Sequence, residues 1–167
     1  AICAAVYSES DTHYTYWRFG DLESQMKPIT GSVPLLSARS KIIYEDKINR
    51  INAYPEHISV YTTAPVKISM VWDAGLTGSA WDMPSDGMLE ADVSASSYAV
   101  DAATYTTQRW YVNTGVTTID ISPYFETNDE GILLNADGVT QSAVSFVATP
   151  LTGTATASLA LSYRELR

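Results

Sequence analysis

The 167-residue chain holds a single cysteine, Cys3. No intrachain disulfide can form, which argues against a small disulfide-built secreted scaffold. Cys3 itself reads as a small buried hydrophobe on a strand. There are two histidines, His13 and His57, and no Cys/His cluster, so a zinc site is not expected. Also missing are a His-Glu-x-x-His pair, a Gly-x-Ser-x-Gly elbow, a phosphate-binding loop and a dinucleotide fingerprint. Basic residues are scarce: 10 Lys and Arg stand against 19 Asp and Glu, a formal charge of −9, with no basic run anywhere. Nucleic-acid affinity rests on neutralising phosphates, so no direct nucleic-acid partner is expected. The same balance disfavours anionic membrane surfaces. No stretch approaches the roughly 20 apolar residues of a spanning helix, so no membrane insertion is expected. Ala1 to Val6 is too short, and lacks the positive flank, for a signal-peptide core. The first residue is not methionine, which suits a processed product or an excised domain. No Asn-x-Ser/Thr acceptor occurs.

What is present is period-two alternation. A chain of this length buries about 70% of its unfolded surface as one domain, so residues 1–167 are expected to form a single β-sandwich, with residues 1–30 a candidate hairpin packed on it. In Ala155 to Tyr163 the residues Ala155, Ala157, Leu159, Leu161 and Tyr163 share one face, and Thr156, Ser158, Ala160 and Ser162 the other. Val66 to Trp72, Val144 to Ala148 and Thr117 to Ile121 alternate likewise. Tyr105 to Asn113 is rich in strand-favouring Thr, Tyr and Trp. Weaker strand candidates are Ile2 to Tyr7, His13 to Phe19, Ile58 to Thr62, Met88 to Ala95 and Gly131 to Asn135. Turn chemistry separates them at Thr63-Ala64-Pro65, Asp73-Ala74-Gly75, Ser85-Asp86-Gly87, Asn113-Thr114-Gly115, Asn128 to Gly131, Asp137-Gly138 and Thr152-Gly153. Helical signals are few. Asp21 suits the cap of a short turn through Leu22 and Met26, ended by Pro28. Ser40 to Ile51 fits either a helix or a strand, and Lys27 to Pro34 is the most loop-like stretch. The expected fold is all-β: an antiparallel sandwich, jelly-roll-like, with one or two short helices at most.

Sites for chemistry are sparse. His57 and Ser59 lie two apart and would share a strand face, the one arrangement that brings a histidine beside a serine. Nineteen acids make carboxylate pairs about 5–10 Å apart inevitable in any fold. Calcium prefers several carboxylate and carbonyl oxygens. Two acidic loops offer them, one with Asp82 and Asp86, the other with Asp129, although neither has an EF-hand pattern. Apart from possible calcium, no cofactor is expected. Aromatics are the strongest signal. Trp72 alternates with a core face. Trp81 sits in a loop bracketed by small residues. Tyr61 lies opposite Val60 and Trp110 opposite Tyr111, so one member of each pair can face outward. Tyr124 caps a strand end. Exposed Trp and Tyr are favoured interface anchors, which makes Trp81, Trp110, Tyr61 and Tyr124 the candidate interaction residues.

The stretch Thr104 to Leu166 resembles the later strands of coat-protein β-sandwiches of small icosahedral viruses. The likeness rests on the strand Gln108-Arg109-Trp110-Tyr111-Val112-Asn113-Thr114, on Ile119-Asp120-Ile121-Ser122-Pro123-Tyr124-Phe125 running into a Pro-Tyr corner, and on the closing strand Leu159 to Leu166. It implies a virion or extracellular protein that assembles with itself or other capsid subunits, or a protruding domain that attaches to a host glycan or receptor. The chain departs from simple RNA-virus coats in having no basic arm. The expectation is therefore a non-enzymatic, self-associating capsid or protruding domain. The alternative is a carbohydrate-binding module or phage-type receptor-binding head using exposed aromatics.

Overall fold

The computed structural model describes residues 17–82, 87–126 and 131–166. Cys3, His13, the strand expected over Ile2 to Tyr7, and the loop acids Asp86 and Asp129 lie outside the described residues. In chain order the strands are β1 (Trp17–Glu23), β2 (Lys27–Ile29), β3 (Val33–Ser40), β4 (Ile43–Tyr44), β5 (Lys47–Ile48), β6 (Asn52–Thr62), β7 (Val66–Trp72), β8 (Gly75–Thr77), β9 (Leu89–Asp92), β10 (Ser97–Ala99), β11 (Tyr105–Val112), β12 (Gly115–Asp120), β13 (Ala143–Pro150) and β14 (Ala155–Leu166). One helical turn, α1 (Pro123–Glu126), follows β12.

Two sheets carry the fold. One runs β1-β14-β6-β12, with β2 also paired to β14; the other runs β11-β7-β13-β3-β9. All pairings are antiparallel. Take β1, β3, β6, β7, β11, β12, β13 and β14 as first to eighth. The sheet orders then become 1-8-3-6 and 5-4-7-2. That is the strand order of a jelly roll. The chain is thus an all-β antiparallel sandwich, as the alternation and turn spacing indicate.

β14 shows why the layers close. Its alternate residues Ala155, Ala157, Leu159, Leu161 and Tyr163 are all buried, and they join Phe146, Met70, Ile68, Leu36 and Val60 in one core. Burying a Leu, Ile or Phe side chain is worth roughly 1.5–3 kcal/mol. A one-residue slip would turn this whole set to solvent, which pins the register. The second sheet is covered on both faces. Val71 and Val147 are buried outside the main core cluster, and Ser37 and Ser145 share a buried hydroxyl pair at 2.7 Å. The stretch after β9 supplies the cover: β10 packs against β3, and Lys27 Nζ reaches the carbonyl oxygens of Pro34 and Ala95.

Local expectations fare unevenly. The helical turn expected from Asp21 to Pro28 is instead β1 and β2, because β14 offers a long partner edge. Asp21 accepts a hydrogen bond from Ser162 Oγ at 2.6 Å rather than capping a helix. Pro28 sits opposite Thr156 in an outer strand, where a missing N–H is tolerated. The loop expected over Lys27 to Pro34 shrinks to Thr30-Gly31-Ser32 between β2 and β3. Ser40 to Ile51 takes the strand alternative, the β4–β5 hairpin. Its turn residues Glu45 and Asp46 have φ of 51° and 60°, the left-handed pair a two-residue hairpin demands. Met88 to Ala95 contracts to β9, and Gly131 to Asn135 makes only isolated bridges, Ala53 to Ile132 and Leu134 to Gln141.

Candidate functional site

Three surfaces gather the chemistry. The first is a corner. β11 and β12 are outer strands of opposite sheets, joined through Asn113-Thr114. Val112 pairs with Val66 and Gly115 with Thr62, so the β6–β7 turn lies at the same corner. Among the described residues, each strand has one edge without a partner strand. Alternation turns Gln108, Trp110 and Val112 inward and Arg109 and Tyr111 outward. Tyr111 is 73% exposed and Val116 74%. Tyr61, directly across from Val116, is 43% exposed. Arg109 is the only charged residue between Ala102 and Ile119, in a chain of net charge −9. Natural edges are usually guarded by lysine, proline or shortness. β11 has a register irregularity between Thr106 and Gln108 and the outward Arg109, with Lys67 of β7 across from Tyr111. Trp110 is half-buried against the core, edge-on to Tyr124 at 5.8 Å. The outward member of its pair is therefore Tyr111, and Trp110 supports the surface from beneath.

The second is a shallow hollow of about 480 Å³ on the outer face of the first sheet, lined by Glu56, His57, Thr118, Asp120 and Ser122. Asp21, Ser162, His57 and Asp120 form one row across four strands. Ser122 donates to Asp120 Oδ1 through both its hydroxyl, at 2.6 Å, and its backbone N–H, at 3.0 Å. These bonds, with His57 as a smaller contributor, hold the Asp120 carboxyl below its usual range. Ser59 Oγ is engaged with Thr118 Oγ1 at 3.2 Å. Ser162 Oγ, across from His57, donates to Asp21, so the hydroxyls of Ser59, Thr118, Ser122 and Ser162 are all bonded to neighbours other than the imidazole, and no nucleophile–base pair is assembled there. Glu56 instead pairs with Arg164, whose guanidinium lies 4.3 Å from the Trp17 ring centre.

The third is a groove of about 360 Å³ at the other end of the second sheet, where β7 ends and β13 begins. Arg39, Asp73, Leu76, Trp81, Asp101 and Gln141 line it. The Arg39 guanidinium stacks 4.0 Å from the Trp81 ring centre, and its Nε bonds Glu90 at 2.6 Å. Gln141 Nε2 donates to Glu90 Oε1 and to the Ser40 carbonyl oxygen. The Trp81 loop is tied down next door: Ala80 N–H donates to the buried Asp92 carboxylate at 2.8 Å.

No known family model matches the chain, and neither does any curated protein. Solved structures do show likenesses. One is the VP1 pentamer of human polyomavirus 6, at 7% identity and a TM-score of 0.35, covering 90% of this chain and 94% of that one. Another is VP1 of trichodysplasia spinulosa-associated polyomavirus, in complex with sialylated glycooligomers, at 9% identity, a TM-score of 0.27, and 90% and 95% coverage. A third is the decameric BFDV capsid protein, at 13% identity, a TM-score of 0.22, and 92% and 99% coverage. The jelly-roll assignment rests on strand order, not on these likenesses.

Of the expected interaction residues, Tyr61 and Tyr124 are exposed, while Trp81 and Trp110 are half-buried. Trp81 lies beside β3; Trp110 and Tyr124 lie by β11, at the opposite edge of that sheet. Of the calcium candidates only Asp82 is described, and it is exposed. Among the described residues no group of three His, Cys, Asp or Glu is placed to hold a metal. Tyr111, Val116, Arg39, Asp73, Asp101 and Gln141 were not singled out beforehand. The parity of β11 points to Tyr111, but nothing local links the four groove residues to Trp81.

Proposed function

We infer that the chain is a non-enzymatic structural domain that associates with copies of itself through the β11–β12 corner, in the manner of a capsid subunit or protruding domain. One observation carries this reading: two strand edges, unpaired among the described residues, meet at a corner that exposes Tyr111 on the outer face of one sheet and Val116 and Tyr61 on that of the other, and its charges, Arg109 and Lys67, are both positive on an acidic molecule. Interface cores are depleted in charge and enriched in tyrosine. Two copies carrying −9 each repel overall, and a corner without acidic residues is where that repulsion is weakest, so it favours self-pairing over random contact. Jelly rolls serve as capsid and lectin domains, and fold alone does not choose between these uses. The corner favours assembly. The engaged hydroxyls around His57 support a non-enzymatic role. A virion or other extracellular setting accompanies this reading, as does a single domain spanning residues 1–167.

Light scattering over a wide concentration range tests it. The expected result is a closed oligomer, strengthened by salt, burying at least about 1,000 Å² per interface. Tyr111→Lys with Val116→Lys should return it to monomer while leaving the fold unchanged by circular dichroism. A chain that stays monomeric at high concentration and high salt refutes the reading, as does a double variant that assembles normally.

A further inference from the structure

The Trp81 groove is separate from the corner. Asp73 follows the end of β7 remote from Val66, which pairs with Val112 at the corner. Its free hydrogen-bonding capacity is one-sided. Asp73 Oδ1 accepts from Ala143 N–H at 3.0 Å, but Oδ2 has no partner among the described residues. Asp101 Oδ1 accepts from Ala103 N–H at 2.8 Å and from Thr104, while its Oδ2 is likewise unengaged there. These turn bonds hold the exposed Asp101 carboxyl below its usual range, so it is ionised at neutral pH. Gln141 uses its amide N–H groups on Ser40 and Glu90, which leaves the amide oxygen as an acceptor. The one cation in the lining, Arg39, is already matched by Glu90 and by the Trp81 ring. The groove therefore offers acceptors, an indole and the apolar side chains of Ala74 and Leu76, but no unmatched positive charge.

A ligand that fits must bring many donors, an apolar face and no negative charge. A neutral pyranose has all three: adjacent hydroxyls that donate to carboxylates and an amide oxygen, and a C–H face that packs on an aromatic ring. The volume is within the roughly 300–1,000 Å³ range of small-ligand pockets. The backbone just before Trp81 is held in place. Ala80 N–H donates to Asp92 Oδ1 at 2.8 Å and to Ser94 Oγ at 2.9 Å, and Ser94 Oγ donates to the Gly78 carbonyl oxygen, so positioning Trp81 costs little on binding. We propose that the groove formed by Trp81, Asp73, Asp101 and Gln141 is a binding site for a neutral sugar residue, such as the terminal unit of a glycan.

The test uses the full chain labelled with nitrogen-15. Methyl glycosides of glucose, galactose, mannose and N-acetylglucosamine are titrated beside the methyl glycoside of N-acetylneuraminic acid. The readout is the indole N–H resonance of Trp81, assigned with Trp81→Phe. At least one neutral glycoside should shift that resonance with a dissociation constant of about 1 mM. Asp73→Asn and Asp101→Asn each keep the oxygen that bonds the backbone and replace the unengaged one by an amide, so they should fold normally. Each should weaken binding about tenfold, the usual worth of a hydrogen bond to a charged group. Tyr111→Lys should leave binding unchanged. No shift with any neutral glycoside up to about 100 mM would overturn the proposal, since that limit is weaker than even single-sugar affinity. Unaltered affinity in both Asn variants, or preference for the anionic sugar, would overturn it equally.

Discussion

The carboxylate of Asp92 holds the Trp81 loop against the second sheet, and the cost of removing it can be worked from its bonds. Asp92 is 1% exposed. Oδ1 accepts from Ala80 N–H at 2.8 Å and Ser94 N–H at 3.0 Å, and Oδ2 from Ala95 N–H at 3.2 Å. In Asp92→Ala the N–H groups of Ser94 and Ala95 and the Ser94 hydroxyl, which donates to Oδ1 at 2.6 Å, lose their acceptor, while Ala80 N–H keeps Ser94 Oγ at 2.9 Å. Ser94 is exposed, so water replaces the carboxylate at its N–H and hydroxyl, at about 0.5 kcal/mol each. Ala95 is buried, and its orphaned N–H costs about 1–3 kcal/mol. Lys27, whose amine bonds Ala95's carbonyl and is drawn to Asp92, loses its counter-charge as well. The sum is about 2–4 kcal/mol, or roughly 4–16 °C in melting temperature for a domain of this size. Asp92→Asn keeps the Oδ1 bonds and loses only the one to Ala95, so it should cost only that part, about 1–3 kcal/mol. Thermal unfolding by calorimetry, with acrylamide quenching of tryptophan emission, reads both effects. The order of stability should be Asp, Asn, Ala, with greater quenching in Asp92→Ala. An alanine variant within about 0.5 kcal/mol of the parent, or an asparagine variant as damaged as alanine, would refute the reasoning.

Gly20 pairs across from Tyr163, and an added Cβ would lie 2.5 Å from Cζ of that buried ring. Replacing glycine by alanine in an extended strand normally gains about 0.5–1 kcal/mol. Here overpacking should reverse the sign, so Gly20→Ala should lose about 1–3 kcal/mol in denaturant melts, and a gain would show that the ring yields. Ser122→Ala removes the main cause of the depressed Asp120 carboxyl, so carbon-13 titration should find that pKa higher than in the parent; an unchanged value contradicts the assigned cause. Asp101, Asp120 and Asp137 all have folded-state values below their ordinary 3.8. Their contribution is complete above that pH and is lost as pH falls through the lowered values, so acid melts should show stability dropping only below about pH 4. Lys27 behaves oppositely. Burial lowers its pKa, so the unfolded chain binds more protons between the folded value and 10.5, and stability should rise with pH across that window. Lys27→Met should flatten that rise.

The alternation of β14 is readable because both partners lie in the same sheet and one face is wholly core, so sequence parity and burial coincide over twelve residues. The strand order follows from no local signal. It depends on β1 and β6 choosing opposite edges of β14, a pairing that spans more than a hundred residues of chain. The errors have specific causes. Asp21 is a helix cap by type, yet a carboxylate on a strand can as well accept from Ser162 across the ladder. The β4–β5 turn uses Glu45-Asp46 where Asn-Gly would have announced it. The first half of β6 is hidden by Pro55 and by Glu56, the extra residue where the pairing with β14 shifts between Ser162 and Tyr163. The sites divide the same way. Tyr111 is a matter of strand parity and belongs to sequence reading. The Trp81 groove draws residues from β3, the ends of β7 and β13, and two separate loops. Only the tryptophan, the one member able to bind by itself, stands out along the chain. The jelly roll supplies what a linear reading lacks, because its crossings place one end of the second sheet at a corner without acidic residues, the proposed contact with a copy of the chain, and the other at a groove rich in acceptors. Assembly and ligand binding would then use opposite ends of one sheet, and an assembled form could present its grooves without covering them.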